Sequence, residues 1–204
     1  MSQIKWIIFD LGGIIVPEIG DLITHKIAKV LNVSDEYLKE IAGKFKQQIT
    51  TGSMTLLDMY SIITKELLVQ FSPNHLLQEH LKEYRMLGTN HDADIVEFIK
   101  TLKKKYKVAC LTNVETEIAD VCRETELYDY FDRAFLSTEL KMQKPDAEIF
   151  FKVIEELRCG PNEIIFIDDK IENVLAANKK GMRGLSFSNL DQLKSDIVKV
   201  CNCR

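Results

Sequence analysis

The sequence has 204 residues, a length that favours one domain with a sizeable insertion over two independent domains. Hydrophobic residues make up 46% and charged residues 28% of the chain, and this balance excludes a disordered, collagenous or fibrous protein. The formal net charge of −4 gives no electrostatic reason to expect nucleic acid or an anionic membrane as a partner, so we expect a small-molecule ligand.

The first predicted element is a strand over residues 4–9, where apolar side chains follow one another almost without interruption. The longest apolar run, 6–16, contains Asp10 and is shorter than the roughly 18 residues that cross a bilayer, so no membrane span is expected. The opening residues Met-Ser-Gln-Ile-Lys lack the apolar stretch and cleavage site of a signal peptide. A cytosolic location is therefore expected.

A segment of different character follows, from Glu18 to about Asn90. It carries apolar residues at helical spacing, such as Ile23 and Ile27, but no convincing strand. This segment separates the first strand from the later ones. We therefore predict an α-helical cap over 17–90, inserted into an α/β core that is formed by 1–16 and 91–204.

From residue 107 onward, short apolar runs alternate with amphipathic stretches of helical length, which is typical of a parallel sheet with crossover helices. Near-continuous apolarity suits strands that are covered by helices on both faces, so the predicted fold class is α/β with a doubly wound parallel sheet. The predicted strands here are 108–111, 134–136, 164–167 and 185–187, and the clearest helical periodicities cover 95–102 and 150–157.

Polar side chains collect where these strands end. Asp10 follows the first strand, Thr112 the second, and Asp168 and Asp169 the fourth, while Lys144 precedes the helix after the third. Ligands of an open parallel sheet bind beyond the carboxyl ends of its strands, because the loops converge there and helix N-termini point their amides at the same place. We therefore expect three acids, a hydroxyl and an ammonium group in one site.

These residue types suit carboxylate-driven phosphoryl transfer. Neighbouring carboxylates repel each other, and the usual remedy is a hard divalent cation with oxygen ligands, typically Mg²⁺, for which Asp10 and Asp168 would be the anionic ligands. A phosphate ester that meets a carboxylate nucleophile is repelled as well. Attack therefore needs a metal, a lysine and neutral donors around the non-bridging oxygens. Lys144 and Thr112 supply the last two.

Four short strings, in this order along the chain, resemble the four motifs of haloacid dehalogenase-like (HAD) hydrolases: Phe-Asp-Leu-Gly-Gly, Leu-Thr-Asn, Lys-Pro-Asp and Ile-Asp-Asp. The resemblance covers the whole core and is most specific over 166–187, which is similar to a phosphatase-rich branch of the superfamily. It implies a Rossmann-like core. The roughly 100 residues between Asp10 and Thr112 leave room for the helical cap that the family calls type 1.

The resemblance also implies a nucleophile and a metal site. Asp10 would accept the phosphoryl group. Mg²⁺ would be held by Asp10, by the backbone carbonyl of Gly12 and by Asp168. Asp169 would orient a water molecule from outside this ligand set.

A phosphate-binding set is implied in the same way. Thr112 and Lys144 would bind the phosphate group, and Asn113 is a further candidate on the phosphate side. Gly13 would let the backbone turn tightly beside the phosphate, as glycine does where a ligand approaches closely. The expected partner is a small phosphorylated metabolite.

The first motif departs from the family pattern at Gly12. In most family phosphatases this position is a second Asp, which protonates the leaving alkoxide and then activates water. General acid–base catalysis typically contributes 10²–10⁴-fold, so a slow enzyme is predicted unless something compensates. The Asp-x-Gly-Gly start resembles sugar-phosphate phosphatases of this branch. An easily expelled oxygen, as in an anomeric sugar phosphate, or a cap acid would offset the loss, and Glu18 and His25 are the nearest cap candidates.

Three interpretations of the function follow. The leading one is a Mg²⁺-dependent phosphatase. The second is a hydrolytic dehalogenase, against which the paired acids argue, because displacing halide at carbon needs no cation. The third is a binding or regulatory protein in which Gly12 marks lost catalysis. Taken singly, Asp10 could begin a turn and residues 168–169 could cap a helix, so only the ordered set is specific.

The other candidate ligands indicate no second site. The isolated cysteines, Cys110, Cys122 and Cys159, are predicted to be small core residues. Cys201 and Cys203 form a Cys-x-Cys pair, but no second Cys or His pair accompanies it, so reduced thiols are expected. The four histidines show neither triad nor zinc spacing and are expected at surface or half-buried positions.

Overall fold

The structure, a computed structural model, describes residues 3–202. Its strands are β1 (Trp6–Phe9), β2 (Lys107–Thr112), β3 (Arg133–Leu136), β4 (Ile164–Asp168) and β5 (Arg183–Ser186). Its α-helices are α1 (Gly20–Leu31), α2 (Asp35–Gly43), α3 (Lys46–Thr50), α4 (Leu56–Glu66), α5 (Pro73–Glu83), α6 (Ala93–Leu102), α7 (Thr116–Glu124), α8 (Ser137–Leu140), α9 (Ala147–Leu157), α10 (Ile171–Lys179) and α11 (Leu190–Asn202). A π-helical turn covers Tyr84–Gly88, and 3₁₀ turns cover Leu127–Tyr130 and Pro161–Glu163.

The strands form one parallel sheet in the order β3-β2-β1-β4-β5. The chain builds one half of the sheet outward from β1 through β2 to β3, and then returns to the other side of β1 for β4 and β5. The strand order therefore reverses beside β1, and an open α/β sheet binds its ligands at such a switch point. The predicted doubly wound α/β fold is confirmed.

Both faces of the sheet are covered, which explains why its strands are apolar at successive positions. Ile7 belongs to the buried cluster that contains Ile99 of α6, whereas its neighbour Ile8 belongs to the cluster that contains Phe150 of α9. All four side chains are fully buried. Since side chains alternate between the faces of a strand, a sheet buried on both sides needs apolar residues at every position.

The predicted bounds of β2, β3 and β4 agree with the structure to within one residue, whereas those of β1 and β5 differ more. β1 is shorter than the predicted 4–9, and β5 covers Arg183–Ser186 rather than 185–187. Gly184 pairs with Phe166 in the parallel ladder, and a Cβ atom there would lie 2.7 Å from the carbonyl oxygen of Val174. Arg183 and Gly184 are not apolar, so the hydrophobic pattern placed this strand too late.

The segment between β1 and β2 is helical, as predicted. Residues 17–90 hold α1 to α5 and the π-helical turn, and no strand. Ile23 and Ile27 of α1 are buried in one cluster with Leu76 of α5. The two ends of the segment lie together, because the backbone N–H of Asp92 donates to the carbonyl of Ile15 at 2.9 Å. The assignment of 17–90 as a separate cap domain remains a prediction.

The core positions predicted for the cysteines are confirmed for Cys110 and Cys122 but not fully for Cys159. Cys110 and Cys122 are free and buried, and Cys159 is free and half-buried beside the α9 cluster. The Sγ of Cys201 accepts a hydrogen bond from Tyr106 at 3.3 Å. Cys203 lies outside the described residues. Over the described part of the chain, no helix combines the length and apolarity that a membrane span requires.

Candidate active site

Asp10 lies at the switch point, directly after β1. Its backbone N–H donates to the carbonyl of Ile167 at 2.8 Å, which continues the sheet pairing with β4 by one residue. The residue is 6% exposed, and Oδ1 accepts a hydrogen bond from the N–H of Leu11 at 2.7 Å. The carboxyl group is thus fixed at the carboxyl edge of the sheet.

The ammonium group of Lys144 joins this acid to Asp168. Its Nζ lies 2.9 Å from Oδ1 of Asp10 and 2.6 Å from Oδ2 of Asp168, and all three side chains are buried. Burial is the largest influence on Asp10 and raises its pKa above the usual range. The charge of Lys144 opposes this rise and that of Asp168 adds to it. The site therefore depends on a close balance between two negative charges and one positive charge.

Asp168 itself is held from three directions. Oδ1 accepts from the backbone N–H of Lys170 at 2.9 Å, and both carboxyl oxygens lie 3.0 Å from Nδ2 of Asn173. Asn173 comes five residues after Asp168, in the first turn of α10. No role was predicted for this residue. The spacing of Asn173 from Asp168 could have predicted the contact, since a residue in the first turn of the helix after a strand can reach back to the end of that strand.

Asp169 completes a three-acid group. Asp10, Asp168 and Asp169 each place one carboxylate oxygen within 4.8 Å of those of the other two. Oδ1 of Asp169 is buried without a hydrogen-bond partner among the described residues, and burial raises the pKa of this carboxyl group. Three hard oxygen donors, one with an unfilled acceptor, fit a small divalent cation such as Mg²⁺.

Gly13 packs directly against this group. Its φ is +71°, and a Cβ atom at this position would lie 2.6 Å from Oδ2 of Asp169. A side chain here would be strained by the backbone and would push the carboxylate away. The sequence predicted a glycine that lets the chain turn tightly, and the structure identifies the neighbour that it must clear.

Thr112 and Asn113 follow on the neighbouring strand. Thr112 ends β2 and is 5% exposed at the edge of the cleft described below. The amide of Asn113 binds the backbone of Lys144, since Oδ1 accepts from its N–H at 2.9 Å and Nδ2 donates to its carbonyl at 2.8 Å. Asn113 therefore positions Lys144, a contact that the sequence did not predict.

A cleft of about 1010 Å³ opens over these residues, between the carboxyl edge of the sheet and the helices α1 to α5. The sheet side contributes the predicted residues Asp10, Gly12, Thr112, Asn113 and Lys144. The helical side contributes both apolar side chains, such as Ile23, Leu38 and Met59, and polar ones, among them Glu18, Asp21, Thr24, Lys39, Lys46, Gln47, Tyr60 and His80. Of the two predicted cap candidates, Glu18 lines the cleft. His25 instead pairs with Asp35 at 2.9 Å on the surface.

Glu115 is a further acid that the sequence analysis missed. It lies three residues after β2, lines the same cleft and is half-buried. Burial raises its pKa, with smaller contributions from Glu117 and Glu18, while Lys46 lowers it. Nothing in its local sequence distinguishes it from an ordinary helix-start acid, because its burial comes from the helices that pack over the sheet.

Comparison with known sequences gives relatives of several lengths. A family model of haloacid dehalogenase-like hydrolases matches residues 4–181. The D-ribitol-5-phosphate phosphatase of Bacteroides thetaiotaomicron is 26% identical, with 98% of this chain and 100% of that protein covered. The sesquiterpene phosphatase AstK of Aspergillus oryzae is 35% identical over 48% of this chain, and a flavin mononucleotide hydrolase of Arabidopsis thaliana is 32% identical over 58%. The matched regions cover about half of these last two proteins, 51% and 49%.

Solved structures show the same fold. A HAD-like family hydrolase from Porphyromonas gingivalis superimposes with a TM-score of 0.79 at 20% identity, with 100% of both chains covered. A magnesium complex of a HAD family enzyme from Bacteroides thetaiotaomicron gives a TM-score of 0.74 at 25% identity, with 92% of this chain and 94% of that one covered. The family model matches most of the chain, and the matched residues form this fold and this acidic site. The chain therefore belongs to the haloacid dehalogenase-like hydrolases.

Proposed function

We propose that this hydrolase is a Mg²⁺-dependent phosphatase that cleaves a small phosphomonoester through an aspartyl-phosphate at Asp10. The observation that carries the proposal is the placement of the Lys144 ammonium group against Asp10 and Asp168 at the carboxyl edge of the sheet. In this arrangement a nucleophilic carboxylate and a fixed positive charge would both contact the phosphate group of the substrate. Relatives named as phosphatases support the same class of reaction.

In this proposal Asp10 attacks phosphorus with Oδ2. The hydrogen bonds from Leu11 and Lys144 both end on Oδ1, which orients the carboxylate and leaves the second oxygen for the substrate. A fixed nucleophile avoids the entropic cost of orientation at the moment of attack. The new bond joins Oδ2 to phosphorus, and the bond from phosphorus to the leaving oxygen breaks.

The phosphate group would be bound from two sides. Lys144 and the Thr112 hydroxyl would contact the non-bridging oxygens, with Asn113 holding Lys144 in place and Gly13 leaving room for the backbone turn. Asp10, Asp168 and the carbonyl of Gly12 would hold Mg²⁺, with Asp169 beside them, and the bound ion supplies the positive charge that offsets repulsion between carboxylate and phosphate. These assignments follow from the residues named in the motifs.

The cleft offers polar groups to the leaving part of a substrate. Its volume of about 1010 Å³ suits a metabolite rather than a macromolecule. Lysine, threonine and glutamine side chains from the helical segment line it among apolar ones, and such polar groups bind hydroxyls. One relative acts on D-ribitol 5-phosphate according to its name. We therefore propose a phosphorylated sugar or polyol as the substrate class.

The test is phosphate release from a panel of sugar, polyol and nucleotide phosphates, with Mg²⁺ and with EDTA. We expect metal-dependent release from at least one sugar or polyol phosphate and none from Asp10→Asn, which keeps the shape of the side chain but not its nucleophilic charge. Equal release by Asp10→Asn would refute the nucleophile. No release by the unmodified protein from any substrate would refute the phosphatase.

A binding or regulatory protein is the second candidate, and Gly12 is the observation that favours it. Calorimetry with the same phosphates separates the two. Binding without turnover or a phosphorylated intermediate would support the regulatory role. Halide release from a 2-haloacid in the same assays would indicate a dehalogenase instead.

A further inference from the structure

Position 12 faces the side chain of Glu18. A Cβ atom added to Gly12 would lie 3.4 Å from Oε1 of Glu18 and 4.0 Å from its carboxyl carbon, which is ordinary van der Waals contact. Gly12, unlike Gly13, is not among the glycines with positive φ, so its backbone would accept a side chain. The carboxyl group of Glu18 therefore lies next to the place where a side chain on residue 12 would start.

Glu18 reaches this place from the connection between β1 and α1. Its Oε1 lies 3.1 Å from Nζ of Lys170, which belongs to the loop after β4. The side chains of Glu18 and Lys170 are 57% and 51% exposed and line the cleft, so both are open to a substrate.

We propose that Glu18 is the acid–base residue of this hydrolase, working from the space that a side chain on residue 12 would fill. This assignment rests on the proposed phosphatase function and adds one catalytic residue to it. Lys170 would position the Glu18 carboxyl group. The general acid that Gly12 cannot provide would thus come from the cap side of the chain.

The proton balance of both steps closes with Glu18. In the first step, Oδ2 of Asp10 bonds to phosphorus, the ester P–O bond breaks, and its electron pair on the leaving oxygen takes the proton of the Glu18 carboxyl group. In the second step, water bonds to phosphorus and gives a proton to the Glu18 carboxylate. The aspartyl P–O bond breaks, which restores Asp10 and releases inorganic phosphate.

Two other groups are less well placed for this role. His25 is not among the residues that line the cleft, and it pairs with Asp35. Glu115 lines the cleft from the start of α7, but the atoms closest to the missing Cβ of Gly12 belong to Glu18. Glu115→Gln therefore enters the experiment as the rival assignment.

The test compares leaving groups. A general acid matters when the leaving alkoxide is basic and matters little when it is a nitrophenolate. We expect Glu18→Gln to lower kcat/KM about 10²–10⁴-fold for an alkyl or polyol phosphate, and by less than about tenfold for p-nitrophenyl phosphate. Glu66→Gln, at an exposed position at the end of α4, should change neither value.

A second measurement reads the intermediate directly. Without a base to activate water, Glu18→Gln should accumulate phosphorylated enzyme with p-nitrophenyl phosphate, seen as a burst of nitrophenolate and as added phosphate in the intact mass. Lys170→Met removes the same ion pair. If Lys170 positions Glu18, this variant should show the same accumulation of phosphoenzyme to a smaller extent, and no accumulation would remove Lys170 from the assignment.

A third experiment places a carboxyl group on residue 12. In Gly12→Asp, adding Glu18→Gln should cost less than about fivefold on the alkyl substrate, because the two groups do the same work. An equal loss for both leaving groups in Glu18→Gln, no loss at all, or the leaving-group signature in Glu115→Gln would overturn the assignment. If the unmodified protein releases phosphate and Asp10→Asn does not, any of these results refutes Glu18 alone and leaves the proposed function standing.

Discussion

The amide of Asn113 holds the backbone of Lys144 through two hydrogen bonds, one accepted at 2.9 Å and one donated at 2.8 Å. These contacts join the end of β2 to the loop before α9. They place the Lys144 ammonium group between Asp10 and Asp168. Asn113, which follows β2, therefore controls the position of the ammonium group that neutralises the carboxylates at the ends of β1 and β4.

Replacing Asn113 with Ala is expected to lower kcat about 10- to 100-fold, because a displacement of Lys144 on the order of 1 Å weakens its contact with the substrate. The free energy of unfolding should fall by about 1 kcal/mol. Asn113→Asp keeps the acceptor and loses the donor, so an intermediate effect is expected. Asn74→Ala, exposed on α5, is the control. Unchanged kinetics in Asn113→Ala would contradict the positioning role.

Lys144→Met should reduce the free energy of unfolding by about 3–5 kcal/mol, since two buried carboxylates then lack their counter-charge. Adding Asp168→Asn should restore a large part of this loss. Urea unfolding measures both. Lys5→Met breaks the ion pair with Glu163 at a lysine that is 57% exposed, and its cost should stay below about 1 kcal/mol. Equal costs for both lysines would show that burial has little influence here.

Gly13→Ala should destabilise the protein by about 1–2 kcal/mol through its positive φ, and the Cβ contact with Asp169 should weaken metal binding as well. Gly20→Ala is the matched change, because nothing lies within 4 Å of a Cβ atom at this position. It should leave stability unchanged or slightly higher. Thermal unfolding with and without Mg²⁺ gives both quantities. A normal Mg²⁺ response in Gly13→Ala would show that Asp169 is not displaced.

Magnesium should stabilise the folded protein, because the three-acid group binds the ion only when it is assembled. At a concentration 100 times the Kd, the expected gain is roughly 2.7 kcal/mol. Asp169→Asn should reduce the gain, whereas Asp191→Asn, at the start of α11, should keep it. A calorimetric titration in which Asp169→Asn binds Mg²⁺ as tightly as the unmodified protein would remove Asp169 from the site.

The pH dependence of stability should include a contribution from His80. Its Nδ1 pairs with the Tyr60 hydroxyl at 2.8 Å, and burial lowers the pKa of His80 from 6.5 to about 4. Because the folded protein favours the neutral ring, this stabilisation is complete above about pH 6.5 and disappears as the pH falls towards 4. The shift is worth on the order of 3 kcal/mol. His80→Gln should flatten the urea stability profile between pH 4 and 6.5, and an unchanged profile would contradict the shift.

The sheet and the identity of its edge residues were predictable from sequence. Strands buried on two faces need apolar side chains at successive positions, so β2 and β4 stand out in the pattern, and the polar residues that end them are visible as breaks. The same reasoning misplaced β5, because Gly184 is required by the approach of α10 rather than by hydrophobicity.

The contacts of the site were not predictable. Asn113 lies 31 residues from Lys144, and Asp10 and Asp168 meet the same ammonium group from two different strands. Such contacts depend on strand order and on the direction of each side chain, which no local pattern encodes.

The sequence by itself determined which side chains lie at the strand ends. A strand that is buried on both faces needs consecutive apolar residues, so its ends are visible where that run stops. Only the tertiary structure decided which of them touch, which oxygen of Asp169 has no partner, and which carboxyl group faces Gly12. Those relationships arise from β1 lying between β2 and β4 and from the turn that the chain makes after β1.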